Sequence, residues 1–469
     1  MTVQELVLTT VTIALLHGTA SAANAQLTLR DALRQADRSG YTNRIAASSA
    51  AAQRAKALAP LEGVLPNVRL EAGYVRTTDP TAAFGATLRQ RAVTQGSFNP
   101  GRLNYPSATA NYQSAVVLEQ PLLHADAWTA RRAALHATDA TRATEQWTRR
   151  SVHVDVIRAY YGALLAHERV DALRTAARAA HAHVAQAESM VKQGVVTKSD
   201  ALLASVRAGD VDAQLAEAEG AAATSLRQLA VLLGRAEDDL PNDPIVDAAR
   251  LPSAERIRAE VAGDTGSRPG EPRADIRAAN DALAAAQGDA LRARSTLLPR
   301  VNAFARYDWN SASSLSDGDR NWTIGVMASW NPLGGANEIA DLGATAAHAR
   351  AAQARADAAR ANARLEIEQT RIALVVALTR LEIAERAAVQ SAEAHRIVSR
   401  KYAGGLANVV ELLDAQAAET SSVLQLSQAR WSAIVAAAER RQAIGHDPAS
   451  LASLDDADTI AGPNVPTGR

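Results

Sequence analysis

The sequence predicts an α+β chain built from two similar halves, in which long helices are joined to four short strands. Three observations lead to this prediction. Landmarks recur in the same order at a constant spacing, long stretches after Pro121 and Pro332 stay compatible with a helix, and four short segments alternate apolar and polar residues. Each half is predicted to run helix, strand, loop, strand, long helix, turn, helix.

Three pairs of landmarks lie 211 residues apart and indicate an internal duplication. The pairs are Gln120-Pro121-Leu122 with Asn331-Pro332-Leu333, Gly194 with Gly405, and Leu233-Gly234 with Ile444-Gly445. An earlier pair, VLPNV at 64–68 and LLPRV at 297–301, lies 233 residues apart, so the first half has 22 additional residues. They fall within 77–110, a stretch rich in Gly, Pro, Asn and Ser that is typical of an enlarged loop.

The composition favours long helices and excludes several classes of function. The 469 residues are rich in Ala, with 47% hydrophobic and only 4% aromatic residues. Lys and Arg total 50, and so do Asp and Glu. Because a nucleic-acid-binding surface needs net positive charge, no nucleic-acid partner is expected. The absence of Cys excludes disulfides, thiol catalysis and cysteine-ligated metal sites.

The start of the chain has the pattern of an export signal. Residues 6–16 form a short apolar core, and ASA at 20–22 and ANA at 23–25 are both small-x-small cleavage sites. Residues 1–25 are therefore predicted to be a signal peptide. No later stretch approaches the ~20 apolar residues of a membrane-spanning helix.

The two longest predicted helices extend for roughly 70 residues each, to about 193 and 403, which corresponds to on the order of 100 Å. No single core is that thick, so these helices need lateral partners along their whole length. Apolar and small residues recur in alternating steps of three and four, the spacing of a left-handed coiled coil. The two seams are Ile367, Thr370, Leu374, Ala377, Leu381, Ala384 and Ala388, and Val410, Leu413, Ala417, Thr420, Leu424, Ser427, Trp431, Ile434 and Ala438.

Four segments, at 67–76, 111–119, 301–309 and 322–331, alternate as strands with two different faces do. Strands of this length can cross a bilayer at a tilt, and aromatic residues lie near their ends, as at the two interfaces of a membrane barrel. The predicted membrane-interface residues are Tyr74, Tyr307, Trp309, Trp322 and Trp330. Phe304 departs from the alternation. The alternative is a soluble antiparallel sheet with one buried face.

Four strands cannot close a barrel, and an open sheet edge in lipid is prohibitive. If the strands span a membrane, several chains must contribute to the sheet. Three chains would supply twelve strands, an even-numbered barrel of plausible width.

With these features in place, the chain resembles the TolC-like outer-membrane efflux protein family (outer membrane factors). The segments most similar to that family are LTLRDALRQA at 27–36, LEQPLL at 118–123 and YAGGLANVVELLDAQ at 402–416. The resemblance implies an α+β membrane protein in which three protomers share a twelve-stranded β-barrel, continuous with a periplasmic α-barrel of long coiled helices. Because many efflux members have a lipidated N-terminal Cys and this sequence has none, it resembles the unlipidated branch.

The resemblance also assigns roles at the predicted hairpin tips. Glu411 and Asp414 match carboxylates that ring the narrow aperture of the tunnel. Asp200 and Tyr402 match residues that latch the inner hairpin to its neighbour, although the basic partner expected near Ala407 is missing. From the residues alone, Glu411 and Asp414 are solvated charges of a coiled coil. The glycines Gly194, Gly404 and Gly405 are interpreted as turn residues.

The implied function is that of a homotrimeric exit duct in the outer membrane of a Gram-negative bacterium. Such a duct passively conducts substrates from an inner-membrane transporter, through a periplasmic adaptor protein, to the exterior. The alternatives are the outer duct of a type I protein secretion system and, from another class, a soluble periplasmic coiled-coil scaffold or adaptor. No enzymatic constellation, cofactor or metal site is predicted, since His181 and His183 are two apart on a helix and diverge.

The chain is predicted to divide into five segments. They are the signal peptide at 1–25, the first repeat at 26–235, an inter-repeat linker or equatorial segment at 236–272, the second repeat at 273–445 and a flexible C-terminal tail at 446–469. Within the first repeat, one helix is expected over about 28–63.

Overall fold

The computed structural model describes residues 27–235, 250–264, 272–332 and 335–455. The predicted signal peptide lies outside the described residues. The helices are α1 (Leu29–Ser39), α2 (Tyr41–Lys56), α3 (Pro80–Arg89), α4 (Pro100–Asn104), α5 (Ala125–Lys192), α6 (Lys198–Leu232), α7 (Ala254–Val261), α8 (Ala274–Ser295), α9 (Asn337–Ala403) and α10 (Val409–Ala443). The strands are β1 (Asn67–Thr77), β2 (Thr109–Leu123), β3 (Arg300–Ser311) and β4 (Asp319–Ser329). Short 3-10 helices span Ala59–Gly63, Gln95–Phe98 and Pro448–Leu454.

The element lengths repeat between the halves as the duplication predicts. Helix α5 has 68 residues and α9 has 67, while α6 and α10 have 35 each. At a rise of ~1.5 Å per residue, α5 and α9 are each about 100 Å long. None of the helices in the described part of the chain has both the length and the apolar content that a bilayer-spanning helix needs.

The predicted seam is buried along the middle of the second hairpin. Leu374, Leu381 and Ile434 are completely buried, as expected for heptad positions. Towards the tip the buried stripe shifts, because Val410 of the predicted seam is exposed and Leu412 is buried instead. The first turn of α10 packs against α5 and α6 as well as α9, so it buries a wider stripe than a two-helix seam does.

The four strands form one antiparallel sheet in the order β1-β2-β3-β4. Strands β2 and β3 pair directly and so join the two halves, with a register shift between Pro121 and Leu123. The register places the four predicted apolar sets on one face: Val116 lies between Leu70 of β1 and Tyr307 of β3, and Tyr307 pairs with Trp322 of β4. This apolar face is open to the surroundings in the protomer.

The opposite face of the sheet is polar and ion-paired. Arg306 lies 2.8 Å from Glu71, and Arg69 lies 3.6 Å from Glu119. The exception to the alternation, Phe304, belongs to this polar face, where its ring fits over Gly325. A Cβ at position 325 would come within 2.8 Å of the ring, so glycine leaves the space that the aromatic side chain occupies.

The first predicted helix is divided in the structure. Helix α1 ends at Ser39, and α2 begins after Gly40, whose backbone N–H donates to the carbonyl of Ala36. A Cβ at Gly40 would lie 2.5 Å from that carbonyl oxygen, which explains why the chain bends at a glycine. The expectation of one continuous helix over 28–63 is therefore wrong, because this turn docks α1 separately against α5.

The described parts of the inter-repeat segment, 250–264, and of the tail, 446–455, are more ordered than the sequence predicts. Within 236–272, α7 buries Ile257 and Val261 completely, and Arg441 of α10 lies 2.9 Å from Asp264. The tail docks through its 3-10 helix, where Leu451 is completely buried. Asp455 accepts hydrogen bonds from the Tyr161 hydroxyl and the Leu29 backbone N–H. Residues 446–455 are thus part of the core rather than a flexible tail.

A buried histidine joins three of these elements. His153 of α5 is only 7% exposed; its Nε2 lies 3.1 Å from Asp37 of α1, and its Nδ1 lies 3.3 Å from Asp447. Burial alone would lower its pKa, but the hydrogen bonds and charges of Asp37 and Asp447 outweigh that effect and raise the pKa to about 9. The protonated imidazole therefore holds α1 and the tail against α5.

Stability is expected to fall between pH 6.5 and about 9 because of His153. Since the folded-state pKa lies above the ordinary value of 6.5, the stabilisation is complete below pH 6.5 and is lost as the pH rises through about 9. The loss is on the order of 3 kcal/mol. Thermal unfolding of the detergent-solubilised protein across this range measures it. The His153→Gln variant is the control, and an equal pH dependence in both proteins would contradict the assignment.

Candidate aperture at the hairpin tips

Both long helices end in the same glycine turn. Gly194 and Gly405 have φ values of 73° and 74°, in the left-handed region that favours glycine. In each turn the next residue closes the helix end, with Val195 N–H donating to Met190 O and Leu406 N–H donating to Lys401 O. Gly404 has φ −89°, so its backbone conformation does not require glycine.

The carboxylate that follows each turn is part of a helix cap. Thr197 is the N-cap of α6, and its backbone N–H donates to Asp200 Oδ2 at 3.0 Å. Asn408 is the N-cap of α10. Its Oδ1 accepts from the Glu411 N–H at 2.9 Å, and its Nδ2 donates to Glu411 Oε1 at 2.9 Å. The shared spacing therefore has a local cause, since in both tips the carboxylate three residues after the N-cap accepts a hydrogen bond from the N-cap residue. The T-x-x-D and N-x-x-E patterns at 197–200 and 408–411 could have identified these caps from sequence.

Tyr402 lies inside the tip rather than on its surface. It is 3% exposed and packs with Ala187 of α5, Ala204 of α6 and Leu412 of α10. Its hydroxyl is buried with no hydrogen-bond partner among the described residues. Burial raises the pKa of Tyr402, and the nearby charge of Asp200 raises it further. The two predicted latch residues, on α9 and α6, thus lie near each other within one protomer, without a hydrogen bond between them.

Glu411 and Asp414 are both exposed on the first turns of α10. Asp414 borders a groove of about 340 Å³ between α5, α6 and α10, together with Arg207 and Asp210 of α6. Glu411 is three residues away on the same side of the helix, so the two carboxylates form one anionic patch. Ala407, at the position where a basic residue was expected, packs on the apolar cluster of the tip.

The two histidines considered as metal ligands diverge. His181 lies 3.0 Å from Asp212 of α6, while the ring of His183 packs edge-on against His395 of α9. In residues 27–235, 250–264, 272–332 and 335–455, no three His, Asp or Glu side chains are grouped so that they could hold a metal ion.

A family model described as outer membrane efflux protein matches residues 44–235 and 271–446, which together make up most of the chain. The chain belongs to the outer membrane efflux protein family. The predicted TolC-like relationship is confirmed, and the predicted outer-membrane location agrees with the description of this family.

Solved structures share the fold of this efflux protein at low sequence identity. A membrane protein from Pseudomonas aeruginosa matches with 20% identity and a TM-score of 0.72, over 89% of this chain and 93% of that one. The CmeC outer membrane channel from Campylobacter jejuni matches with 15% identity and a TM-score of 0.73, over 89% and 85%. The outer membrane protein VceC from Vibrio cholerae matches with 17% identity and a TM-score of 0.72, over 89% and 96%. No curated protein sequence matches the chain closely enough to count as a relative.

These matches confirm the predicted fold class. The four strands and two long helical hairpins of this chain have the protomer fold of these outer-membrane proteins.

Proposed function

We propose that three copies of this efflux protein form the passive exit duct of a tripartite efflux system. The observation that supports this most directly is the two-faced sheet. Its apolar face is exposed on all four strands, with Leu70 78% and Ile324 71% accessible, while the opposite face is ion-paired. A soluble scaffold would bury the apolar face, whereas a membrane barrel turns it towards lipid and its polar face towards the lumen.

Assembly of three protomers would pair the open edges of the sheet. In the part of the chain that the structure describes, strands β1 and β4 each have one unpaired edge. Unpaired backbone groups are prohibitively costly in lipid. Pairing β4 of one copy with β1 of the next closes a twelve-stranded barrel. The same symmetry surrounds a periplasmic tunnel with the long helices.

Aromatic side chains lie at both ends of the apolar face and are proposed to mark the membrane interfaces. Trp322 lies near the start of β4 and Trp330 lies directly after its end, at 73% and 66% exposure. Their eight-residue separation corresponds to ~26 Å of strand, or ~20 Å along the membrane normal at a tilt of ~40°, which covers most of the ~25 Å apolar band of membrane barrels. Tyr74, Tyr307 and Trp309 lie on the same face towards the Trp322 end, where Tyr307 pairs with Trp322.

The hairpin tips are proposed to close the periplasmic end of the tunnel. Threefold symmetry would bring Glu411 and Asp414 of three copies to one axis, and such a ring of six carboxylates favours cations and repels anions. Asp200 and Tyr402 are proposed to hold α6 against α9 in the closed state. Because position 407 is Ala, this latch uses the buried tyrosine rather than an ion pair.

A duct of this kind needs an energy source outside the chain. An inner-membrane transporter and a periplasmic adaptor are the proposed partners, as the outer-membrane efflux family and its channel relatives, including the MtrE outer membrane channel of Neisseria gonorrhoeae, support. A duct for protein secretion would share the same architecture, but none of the described contacts favours it.

Membrane fractionation with planar-bilayer recording tests this proposal. The protein is expected in the outer-membrane fraction as a detergent-stable trimer that forms ion-conducting channels. A monomer that stays monodisperse without detergent and forms no channels would instead establish the soluble scaffold.

A further inference from the structure

The loop between β1 and β2 contains a helix that covers one end of the sheet. This loop is the segment with the additional residues of the first half, and it includes α3. Asp79 caps α3 by accepting from the Ala82 N–H at 2.7 Å, and Pro80 occupies the first turn. The helix lies at the end of the sheet away from the long helices, where β1 ends at Thr77 and β4 begins at Asp319.

Helix α3 crosses the sheet from its first strand to its last. It starts directly after β1, and its far end contacts β4: Asn321 Nδ2 donates to Arg89 O, and Arg91 donates to Arg320 O at 3.1 Å. Its ten residues extend ~15 Å, which matches the ~14 Å across three strand-to-strand spacings. The length of the helix therefore fits the width of one protomer's sheet.

The face that α3 covers is the polar one. Gln90 Nε2 donates to Asn111 Oδ1 at 2.8 Å, Asn111 donates to Asn310 Oδ1 at 2.9 Å, and Asn310 donates to Asp308. Asn310 is 1% exposed and Asp308 is 8% exposed. Both lie on the polar face of the sheet, which is more open away from α3. A chain of buried polar groups with all of these bonds made fixes the helix in one position.

The turn that follows α3 is held in an unfavourable backbone conformation. Arg91 has φ 52°, which a residue with a side chain rarely adopts. Its guanidinium lies 3.8 Å from Asp319, in addition to its bond to Arg320 O. Such strain persists where surrounding contacts determine the conformation, so the crossing is anchored at both ends.

We infer that the three α3 helices form a second constriction, at the outward mouth of the barrel, which limits the size of the molecules that leave. This inference rests on the proposed trimeric duct, because only closure of the barrel turns the polar face inward. Twelve strands ~4.8 Å apart and tilted by ~40° enclose a radius of about 12 Å. A helix with side chains is ~10 Å thick, so three helices against the inner wall leave an opening of roughly a few Å.

The corresponding loop of the second half lies on the other side of the sheet. Residues 312–318 connect β3 to β4, and the Ser114 hydroxyl, on the apolar face, donates to Leu315 O at 2.7 Å. Only the enlarged loop of the first half therefore reaches into the lumen. The shorter loop supplies a matched control at the same end of the barrel.

Gly85 provides a test in the middle of α3. A Cβ at this position would meet no atom within 4 Å, so a side chain there extends into open space away from the sheet. The chain has no native Cys, which makes Gly85→Cys the only thiol in each protomer. Treating reconstituted trimers with a bulky methanethiosulfonate reagent is expected to lower single-channel conductance several-fold. The exposed Ser316→Cys variant should react equally and keep its conductance.

A Gly85→Trp variant gives the same readout without a reagent, and it is expected to conduct less than wild type while Ser316→Trp does not. If wild-type trimers conduct, and if fully labelled Gly85→Cys and Gly85→Trp have unchanged conductance, the proposed constriction is wrong. The proposed duct would not be contradicted by that result. Wild-type protein that forms no channel would overturn the duct itself and the constriction with it.

Discussion

Replacing Val326 with Arg is expected to abolish assembly of the protein in the outer membrane. Val326 is 67% exposed on the apolar face of β4, where it pairs with Ala303. An Arg near the centre of the lipid-facing band costs about 2–4 kcal/mol, and the cost recurs in all three protomers. Loss of the heat-dissociable trimer from the outer-membrane fraction measures the effect.

The neighbouring residue provides the control for this variant. Met327 is also well exposed, at 57%, and lies at nearly the same depth on the opposite, polar face. Met327→Arg is expected to assemble at close to wild-type levels because the charge enters the aqueous lumen. Equal assembly of the two variants would show that the apolar face does not contact lipid.

Replacing Glu411 and Asp414 together with Ala is expected to enlarge single-channel conductance several-fold and to weaken cation preference. The change removes six carboxylates from the proposed aperture, and with them the electrostatic selection of cations. Folding of the tip should survive, because Asn408 Oδ1 accepts from the backbone N–H of position 411, which the substitution retains. Conductance and reversal potential under a KCl gradient in planar bilayers provide the measurement.

A charge-only variant separates the two effects. Glu411→Gln with Asp414→Asn preserves side-chain size, so cation preference should fall while conductance rises less than in the Ala variant. Selectivity that stays at the wild-type value in both double variants would place these residues outside the conducting path.

Much of the architecture is predictable because it depends on local patterns in the sequence. Pro121 and Pro332 precede the two long helices in the sequence. The heptad spacing around Leu374 indicates a helix, and the alternation around Ile324 indicates a strand. The observed helix ends at 192 and 403 fall within a residue of the predicted ones. At the tips, the glycine turns and the recurring carboxylates were visible as a repeat, although their capping role was not recognised.

The missed features involve residues that are distant in sequence. Nothing near Tyr402 indicates that it is buried against Ala187 and Ala204, more than 190 residues away. The helix in the enlarged loop was also missed, since its Gly, Pro and Ser content is typical of irregular structure. Asp455 of the tail meets Leu29 and Tyr161 only after the core has formed.

The sequence alone determined the duplication, the long helices, the two-faced strands and the glycine turns, because each depends on periodicity or on the backbone freedom of single residues. Only the tertiary structure decided that β2 and β3 join the halves, that Phe304 belongs over Gly325, and that α3 crosses the polar face instead of the apolar one. Those outcomes depend on which surfaces complement each other across the fold. Such complementarity is a property of the packed chain, and no local stretch of residues encodes it.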